Sequence, residues 1–366
     1  MSVSPIRLLV VAGMVYRAWS RRSLTPLGLV VAGTSGIAQA LHPWATPLTL
    51  LLVFYLGGTK ATKVKHDIKA RKTLSATGSQ GGEGARNHLQ VLANSVVATF
   101  LSIIHTVYFL RNPSAASCFS FGHHPADILM VGIVANYAAV AADTFSSELG
   151  ILAKSKPRLI TSLTLREVPP GTNGGVTAAG LGAGLLGAFS IALTSAIILP
   201  SCSNGPQIQA RVIWTLAITL WGLLGSILDS VLGGLLQASV IDKRSGKIVE
   251  GSGGRKVLIH PGSTSRATNS GDGLVTQQSG AAGVHLRKTE AVANAATLHG
   301  SRATSGTSAS TGSKEEEHAH ESRRIESGRD WLDNNGVNVL MAFLMSVGAM
   351  GAAQQLWGVD VWDLWA

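Results

Sequence analysis

Charge is what this sequence has least of. Only 14% of its 366 residues are Asp, Glu, Lys or Arg, against about 25% in a typical soluble domain. Apolar residues make up 46%, and the mean hydropathy is +0.27. The deficit is uneven: positions 242–330 are polar and rich in Gly, Ser and Thr, so the remainder is more apolar than the average indicates. Several runs approach the roughly 20 residues that span a hydrocarbon core. Cysteine is scarce as well. Cys118 and Cys202 stand alone, which excludes a Cys-x-x-Cys metal site. No small-residue cleavage pattern precedes Arg21-Arg22, so the stretch Ile6–Tyr16 reads as a retained helix rather than a signal segment. Internal repeats are lacking too. These absences exclude an ordinary soluble enzyme, a disulfide-rich secreted domain and a fully disordered chain.

What is present points to an all-α, polytopic transmembrane helical bundle. The apolar spans run Ile6–Trp19, Leu24–Leu41, Thr46–Leu56, Leu89–Leu110, Ala126–Asp143, Val176–Leu199, Val212–Val240 and Val337–Leu356. The first and third are short, so the expected count is seven or eight. Glycines such as Gly180, Gly182, Gly184 and Gly187 favour close helix packing in lipid. Residues 1–241 are expected to form the bundle, 242–330 a disordered polar loop, and 331–366 a final transmembrane helix and tail, because the loop has too few large apolar residues to offset ordering entropy. Within it, the run Lys314–Glu321 with His318 and His320 reads as a solvated charged stretch rather than a metal site.

Formal net charge is +10. In a membrane protein this is read as Lys and Arg gathering in cytoplasmic loops, not as nucleic-acid binding. Lys60, Lys63, Lys65, Lys69, Arg71, Lys72 and Arg86 follow the third span, Lys154, Lys156, Arg158 and Arg166 follow the fifth, and Lys243, Arg244 and Lys247 open the long loop. Alternating the spans puts all of these on one side, the expected cytoplasmic side of the endoplasmic reticulum or another endomembrane. Cys118 and Cys202 then share the far side, where either a disulfide or two separate thiols would fit.

Ionisable and amide groups inside apolar spans are expensive and mark candidate sites. Asp143 closes one span, Asn136 precedes it on the same helical face, and Glu148 follows five residues on. Asp229 lies near the end of another span. Arg86, Gln90 and Asn94 form a row entering the membrane from the basic loop, and Asn334, Asn335 and Asn338 open the last span. Asn94 and Asn136 also fit plain interhelical hydrogen bonds. The segment Val168-Pro-Pro-Gly-Thr-Asn-Gly-Gly-Val176 suits either a tight turn that starts a helix or a backbone cradle for phosphate; it is not a P-loop, because no Gly-Lys-[Ser/Thr] follows. Carboxylates able to hold Mg²⁺, cations able to neutralise phosphates and a Gly-rich turn are the parts phosphoryl transfer uses. Their place at the membrane surface suggests a water-soluble nucleotide and a lipid-borne acceptor. A transporter or channel lined by Asn136, Asp143 and Asp229, or a scaffold docking partners through the long loop, are the competing classes.

The runs Arg86–Asn94, Ala142–Gly150, Pro157–Thr161, Val168–Val176 and Gly225–Gly233 closely resemble the transmembrane protein 19 family, over nearly the whole chain outside 242–330. That family includes the plant phytyl-phosphate kinase of tocopherol synthesis. A more distant likeness, an Asp followed by small residues, a basic stretch and a Gly-rich turn, is to the CTP-dependent dolichol and phytol kinases. The resemblance implies a kinase that uses Mg²⁺ and a nucleoside triphosphate, CTP or ATP, to phosphorylate a prenyl phosphate held in the bilayer. It implies metal or catalytic roles for Asp143 and Glu148, beside which the residues themselves offer Asp229 as a further metal carboxylate, and places Thr161, Thr172, Asn173, Gly174 and Gly175 near the nucleotide phosphates. Lys60, Lys63, Arg86 and Arg158 would offset charge, with Asn94 and Asn136 nearby.

Overall fold

The computed structural model describes residues 4–81, 84–112, 118–122, 124–202, 208–257 and 323–360. The charged run 314–321 and most of the long loop lie outside them. The chain is mostly helical: α1 (Pro5–Ser20), α2 (Pro26–Ala40), α3 (Thr46–Lys63), α4 (His66–Ala70), α5 (His88–Arg111), α6 (Ala126–Gly150), α7 (Ala178–Ile198), α8 (Ile208–Leu236) and α9 (Asn334–Trp357). Five of these, α5 to α9, are long and apolar enough to cross a membrane. The others fall short of that measure: α1 and α2 by length, while α3 carries Lys60 and Lys63 in its last turn.

The central helix is α6, buried along almost its entire length, with α5, α7, α8 and α9 around it. Its small residues allow this. A Cβ added at Gly187 of α7 would lie 2.6 Å from the Ala141 carbonyl oxygen, and one at Gly222 of α8 would lie 2.8 Å from that of Ala138. Backbones therefore meet directly, and dispersion over closely matched surfaces replaces the hydrophobic drive that lipid removes. Large apolar side chains on the outer helices, including Phe100, Phe189, Leu216 and Phe343, face outward instead, the arrangement a lipid-facing surface requires.

Two expectations need correction. The first is the end of the fifth span. Nothing between Thr144 and Gly150 breaks a helix, and α6 continues through both Asp143 and Glu148. The second is the extent of the polar loop and the all-α class. Residues 239–257 and 323–330 fold onto the bundle, where β4 (Ser239–Asp242) and β5 (Ile248–Glu250) make an antiparallel hairpin. Asp242 Oδ2 accepts the Ser245 N–H at 2.9 Å, and Gly246 takes the left-handed conformation the turn needs. β1 (Leu74–Ser75) and β6 (Arg323–Ser327) flank the hairpin in the order β1-β5-β4-β6. Val240, Ile241, Ile248 and Val249 are buried, so a few β-branched residues suffice to seat the sheet. A second pair, β2 (Arg158–Leu159) and β3 (Gly175–Val176), braces the Gly-rich turn.

The bundle has two unlike ends. At one, the basic segments meet the starts of α5, α7 and α9 and the ends of α6 and α8. At the other, Cys118 and Cys202 are bonded, tying the α5–α6 connection to the α7–α8 connection. Beside that tie, the Trp44 N–H donates to His42 Nδ1 at 2.9 Å, and His42 Nε2 meets His105 Nδ1 at 3.1 Å.

Candidate functional site

A cavity of about 360 Å³ opens at the basic end. At its floor, Asp143 of α6 and Asp229 of α8 hydrogen bond through their carboxyl groups. Two acids in contact need either a shared proton or a cation between them. The pair meets because α6 and α8 run parallel, both ending at this face, with Ala139 packed against Gly225 one turn deeper. Asn338 of α9, its amide nitrogen turned toward the acids, donates to Asp229 Oδ1 at 3.2 Å and to the Asn334 carbonyl at 3.0 Å.

Three helix N-termini form the walls. Asn87 caps α5 in a reciprocal box, accepting the Gln90 N–H at 2.9 Å while Gln90 Oε1 accepts the Asn87 N–H at 3.0 Å. Thr177 caps α7 through Gly180 N–H at 3.0 Å, and Asp333 caps α9 through Gly336 N–H at 2.8 Å. Each helix start carries partial positive charge. Neutral caps leave that charge available at α5 and α7; a carboxylate offsets it at α9. Arg86 stands directly before α5, so the α5–α7 side of the cavity favours anions.

Among the sequence-predicted residues, Asp143, Asp229, Arg86, Asn94, Glu148, Thr172, Asn173, Gly174 and Gly175 all line this cavity. Glu148 does so in a different capacity from the one expected. Five residues along a helix turn a side chain about 140° around the axis, so Glu148 faces α3 and α4 rather than Asp229. There it accepts from Lys69 Nζ at 2.6 Å and Thr62 Oγ1 at 2.7 Å, with Arg86 at 3.8 Å. Its carboxylate is held in a buried ion-pair cluster.

The Gly-rich turn is likewise self-bonded. Asn173 N–H donates to Ser239 Oγ at 2.9 Å, Gly175 N–H to the Thr172 carbonyl at 2.9 Å, and Thr172 N–H to Pro169 at 3.2 Å. Gly174 has φ +78°, and a Cβ there would strike Gly234 and Ser230 at 2.8 Å. The turn builds a wall by close approach, and these three N–H groups are already taken.

Five predicted residues lie elsewhere. Lys60 and Lys63 are exposed at the end of α3, and Arg158 is exposed on β2. Thr161 packs against Gly234 behind the turn. Asn136, fully buried in α6, does not line the cavity, and neither of its amide atoms has a hydrogen-bond partner among the described residues. Conversely, Lys69, Ser239 and Lys256 hold positions the sequence does not single out for a site. Lys69 is indistinguishable in sequence from its exposed neighbours, because only the reversal from α3 into α4 buries it. Asn335 is visible as one of three amides opening the last span.

No group of three or more His, Cys, Asp or Glu is placed to hold a metal among the described residues. Mg²⁺ does not demand one, since it is commonly bound by one or two carboxylates together with substrate phosphates and water. The Asp143–Asp229 contact fits that form, and Glu148 does not.

Membrane-length helices around a buried central helix, with an acid-floored cavity at one end, define a multi-pass integral membrane protein. The chain belongs to the integral membrane protein DUF92 family, which matches residues 9–346. It is 36% identical to Protein PGR of Arabidopsis thaliana over 242 residues, covering 64% of this chain and 80% of that protein. An uncharacterized membrane protein of Methanocaldococcus jannaschii is 28% identical over 232 residues, covering 63% and 82%. Protein VTE6, chloroplastic, of Arabidopsis thaliana is 30% identical over 176 residues, covering 46% of this chain and 48% of that protein. No solved structure matches.

Proposed function

We propose that the protein is a membrane-embedded prenyl-phosphate kinase. The observation that carries this reading is the contact between Asp143 and Asp229 at the floor of a cavity whose opposite wall favours anions. Acids for a divalent cation and positive charge for phosphate oxygens are what phosphoryl transfer needs, since its catalysis is mostly positioning and charge stabilisation. The terminal phosphoryl group of a nucleoside triphosphate would pass to an oxygen of the prenyl monophosphate. The bond to the β-phosphate breaks, a new P–O–P linkage forms, and a nucleoside diphosphate leaves. The acceptor oxygen is already anionic, so the step needs no general base. Asp143 and Asp229 would hold Mg²⁺, which screens the phosphate charges. Arg86 and the α5 and α7 N-termini bind the phosphates, and Asn338 orients Asp229. Glu148 and Lys69 fix Arg86 and the α3 end in place.

In this reading α1 to α3 also cross the membrane, giving eight spans with the basic end in the cytoplasm and the disulfide in an oxidising lumen. The substrate class comes from the resemblance to a family that includes the plant phytyl-phosphate kinase. The transporter reading is weaker, because Asn136 does not share the cavity with the two acids. Reconstituted protein given Mg²⁺, labelled nucleotide and a panel of prenyl monophosphates is expected to form labelled prenyl diphosphate. Nucleotide-independent solute flux with no labelled lipid would overturn the reading.

A further inference from the structure

The segment that leaves the β4–β5 hairpin, Gly251-Ser-Gly-Gly-Arg-Lys256, has no role in the account above, yet it lines the cavity through Gly251, Gly254, Arg255 and Lys256. It is fastened on two sides. The Gly253 carbonyl accepts Nδ2 of Asn335, in the first turn of α9, at 3.0 Å and Nδ2 of Asn87, the α5 cap, at 3.4 Å. One backbone oxygen thus ties the segment to two helix N-termini. Gly253 has φ +63°, and a Cβ there would strike the Asn87 amide, so the contact depends on glycine. Two residues past Arg255's own fastening at Gly253 comes another: Lys256 Nζ donates to the Asp330 and Trp331 carbonyls at 2.7 and 3.2 Å and pairs with the Asp330 carboxylate at 3.1 Å.

Arg255 stands between these anchors. Three cations line the cavity: Arg86, Arg255 and Lys256. Arg86 donates to Thr62 Oγ1 at 2.9 Å and lies 3.8 Å from Glu148, and Lys256 is matched by Asp330. The Arg255 guanidinium alone makes no hydrogen bond or ion pair among the described residues. The acids beside it are engaged elsewhere, Asp330 with Lys256 and Asp333 with the Gly336 N–H at 2.8 Å. A guanidinium with its planar fork of donors uncommitted suits a phosphate, which it can hold through two parallel hydrogen bonds. Arg255 is exposed and belongs to the polar segment outside the helices. A lipid-borne acceptor arrives among the helices, so the phosphate that meets Arg255 is the water-soluble substrate's.

We propose that Arg255 is a phosphate-binding residue for the nucleoside triphosphate, presented to the cavity by the fastened 251–256 segment. This rests on the nucleotide-dependent reading above and adds a second cation, beside Arg86, that grips the donor rather than the prenyl phosphate.

Binding of labelled CTP, labelled ATP and farnesyl phosphate to the purified full chain tests it, with thermal midpoints recorded alongside. Arg255→Ala is expected to weaken nucleotide binding about 10- to 100-fold. Because the contact is to phosphate and not to a base, the loss should be the same for each nucleotide that binds. Farnesyl phosphate affinity and the thermal midpoint should be unchanged, since the side chain has no partner within the protein. Arg255→Lys, which keeps the charge and loses the fork, should recover part of the loss. Unchanged nucleotide affinity in Arg255→Ala, a loss shared equally with farnesyl phosphate or confined to it, or a loss accompanied by a lowered midpoint would each overturn the proposal. Nucleotide binding that survives Arg255→Ala, in a protein that transfers phosphate, overturns this inference and leaves the kinase reading standing. Arg255-dependent nucleotide binding without transfer does the reverse, and failure to bind either nucleotide overturns both.

Discussion

Asp143 and Glu148 show how little separates a reactive carboxylate from a structural one. Both sit on α6, yet one meets Asp229 and the other is enclosed by Lys69, Thr62 and Arg86. Replacing Glu148 with Gln would leave Lys69, buried at 7% exposure, without its counter-charge, and removing one member of a buried pair costs about 3–5 kcal/mol. Thermal unfolding in detergent should therefore show a large drop for Glu148→Gln, partly recovered when Lys69→Met is added. An unchanged midpoint would mean the pair is not structural. A second residue-scale effect concerns acid. Burial, the largest effect, pushes the His42 imidazole down to about 4. As pH falls below about 6.5, the unfolded chain takes up this proton before the folded one does. Stability present at neutral pH is thus lost progressively toward pH 4, by up to about 3 kcal/mol. His42→Gln should flatten that part of the pH–stability curve; an unaltered slope would contradict the assignment. Ionisable groups within apolar runs are conspicuous, which is why Asp143, Asp229 and Asn94 are legible from sequence. Which of several lysines is buried depends on how α4 folds back, and no local pattern carries that.

Among the elements, the packing of α6 against α7 and α8 sets the site, because it brings Asp143 and Asp229 to one level. Gly187 and Gly182 on α7 give a matched test. Leucine at 187 must enter the space of the Ala141 carbonyl, whereas a Cβ at 182 meets nothing within 4 Å. Gly187→Leu is expected to destabilise by about 1–3 kcal/mol or more, and Gly182→Leu to change stability by less than about 0.5 kcal/mol, as read from thermal midpoints. Equal effects would refute the close α6–α7 approach. The glycine spacing announces tight packing without naming the partner helix. Apolar periodicity locates most helices, while the end of α6 is missed because Thr144–Gly150 is polar but still helix-compatible. The small sheet escapes for a related reason: its β-branched pairs, Val240-Ile241 and Ile248-Val249, are diluted by the Gly- and Ser-rich residues that follow.

For the molecule as a whole, the arrangement is a bundle with chemistry at one end and a covalent tie at the other. The 239–257 and 323–330 segments complete the cavity, so the site is assembled from parts distant in sequence, and its convergence is a property of the fold rather than of any motif. The grouping of acids, amides and Arg86 at one face follows from the alternation of spans and was open to sequence reasoning. The contact between two particular carboxylates was not. The central claim is that this contact operates in phosphoryl transfer, and the most direct measurement compares unaltered protein with Asp143→Asn and Asp229→Asn for labelled phosphate transfer to farnesyl phosphate, with thermal midpoints recorded alongside. The account predicts labelled farnesyl diphosphate from the unaltered protein and at least about a 100-fold loss in each variant, with midpoints retained. Undiminished transfer by either variant would contradict it.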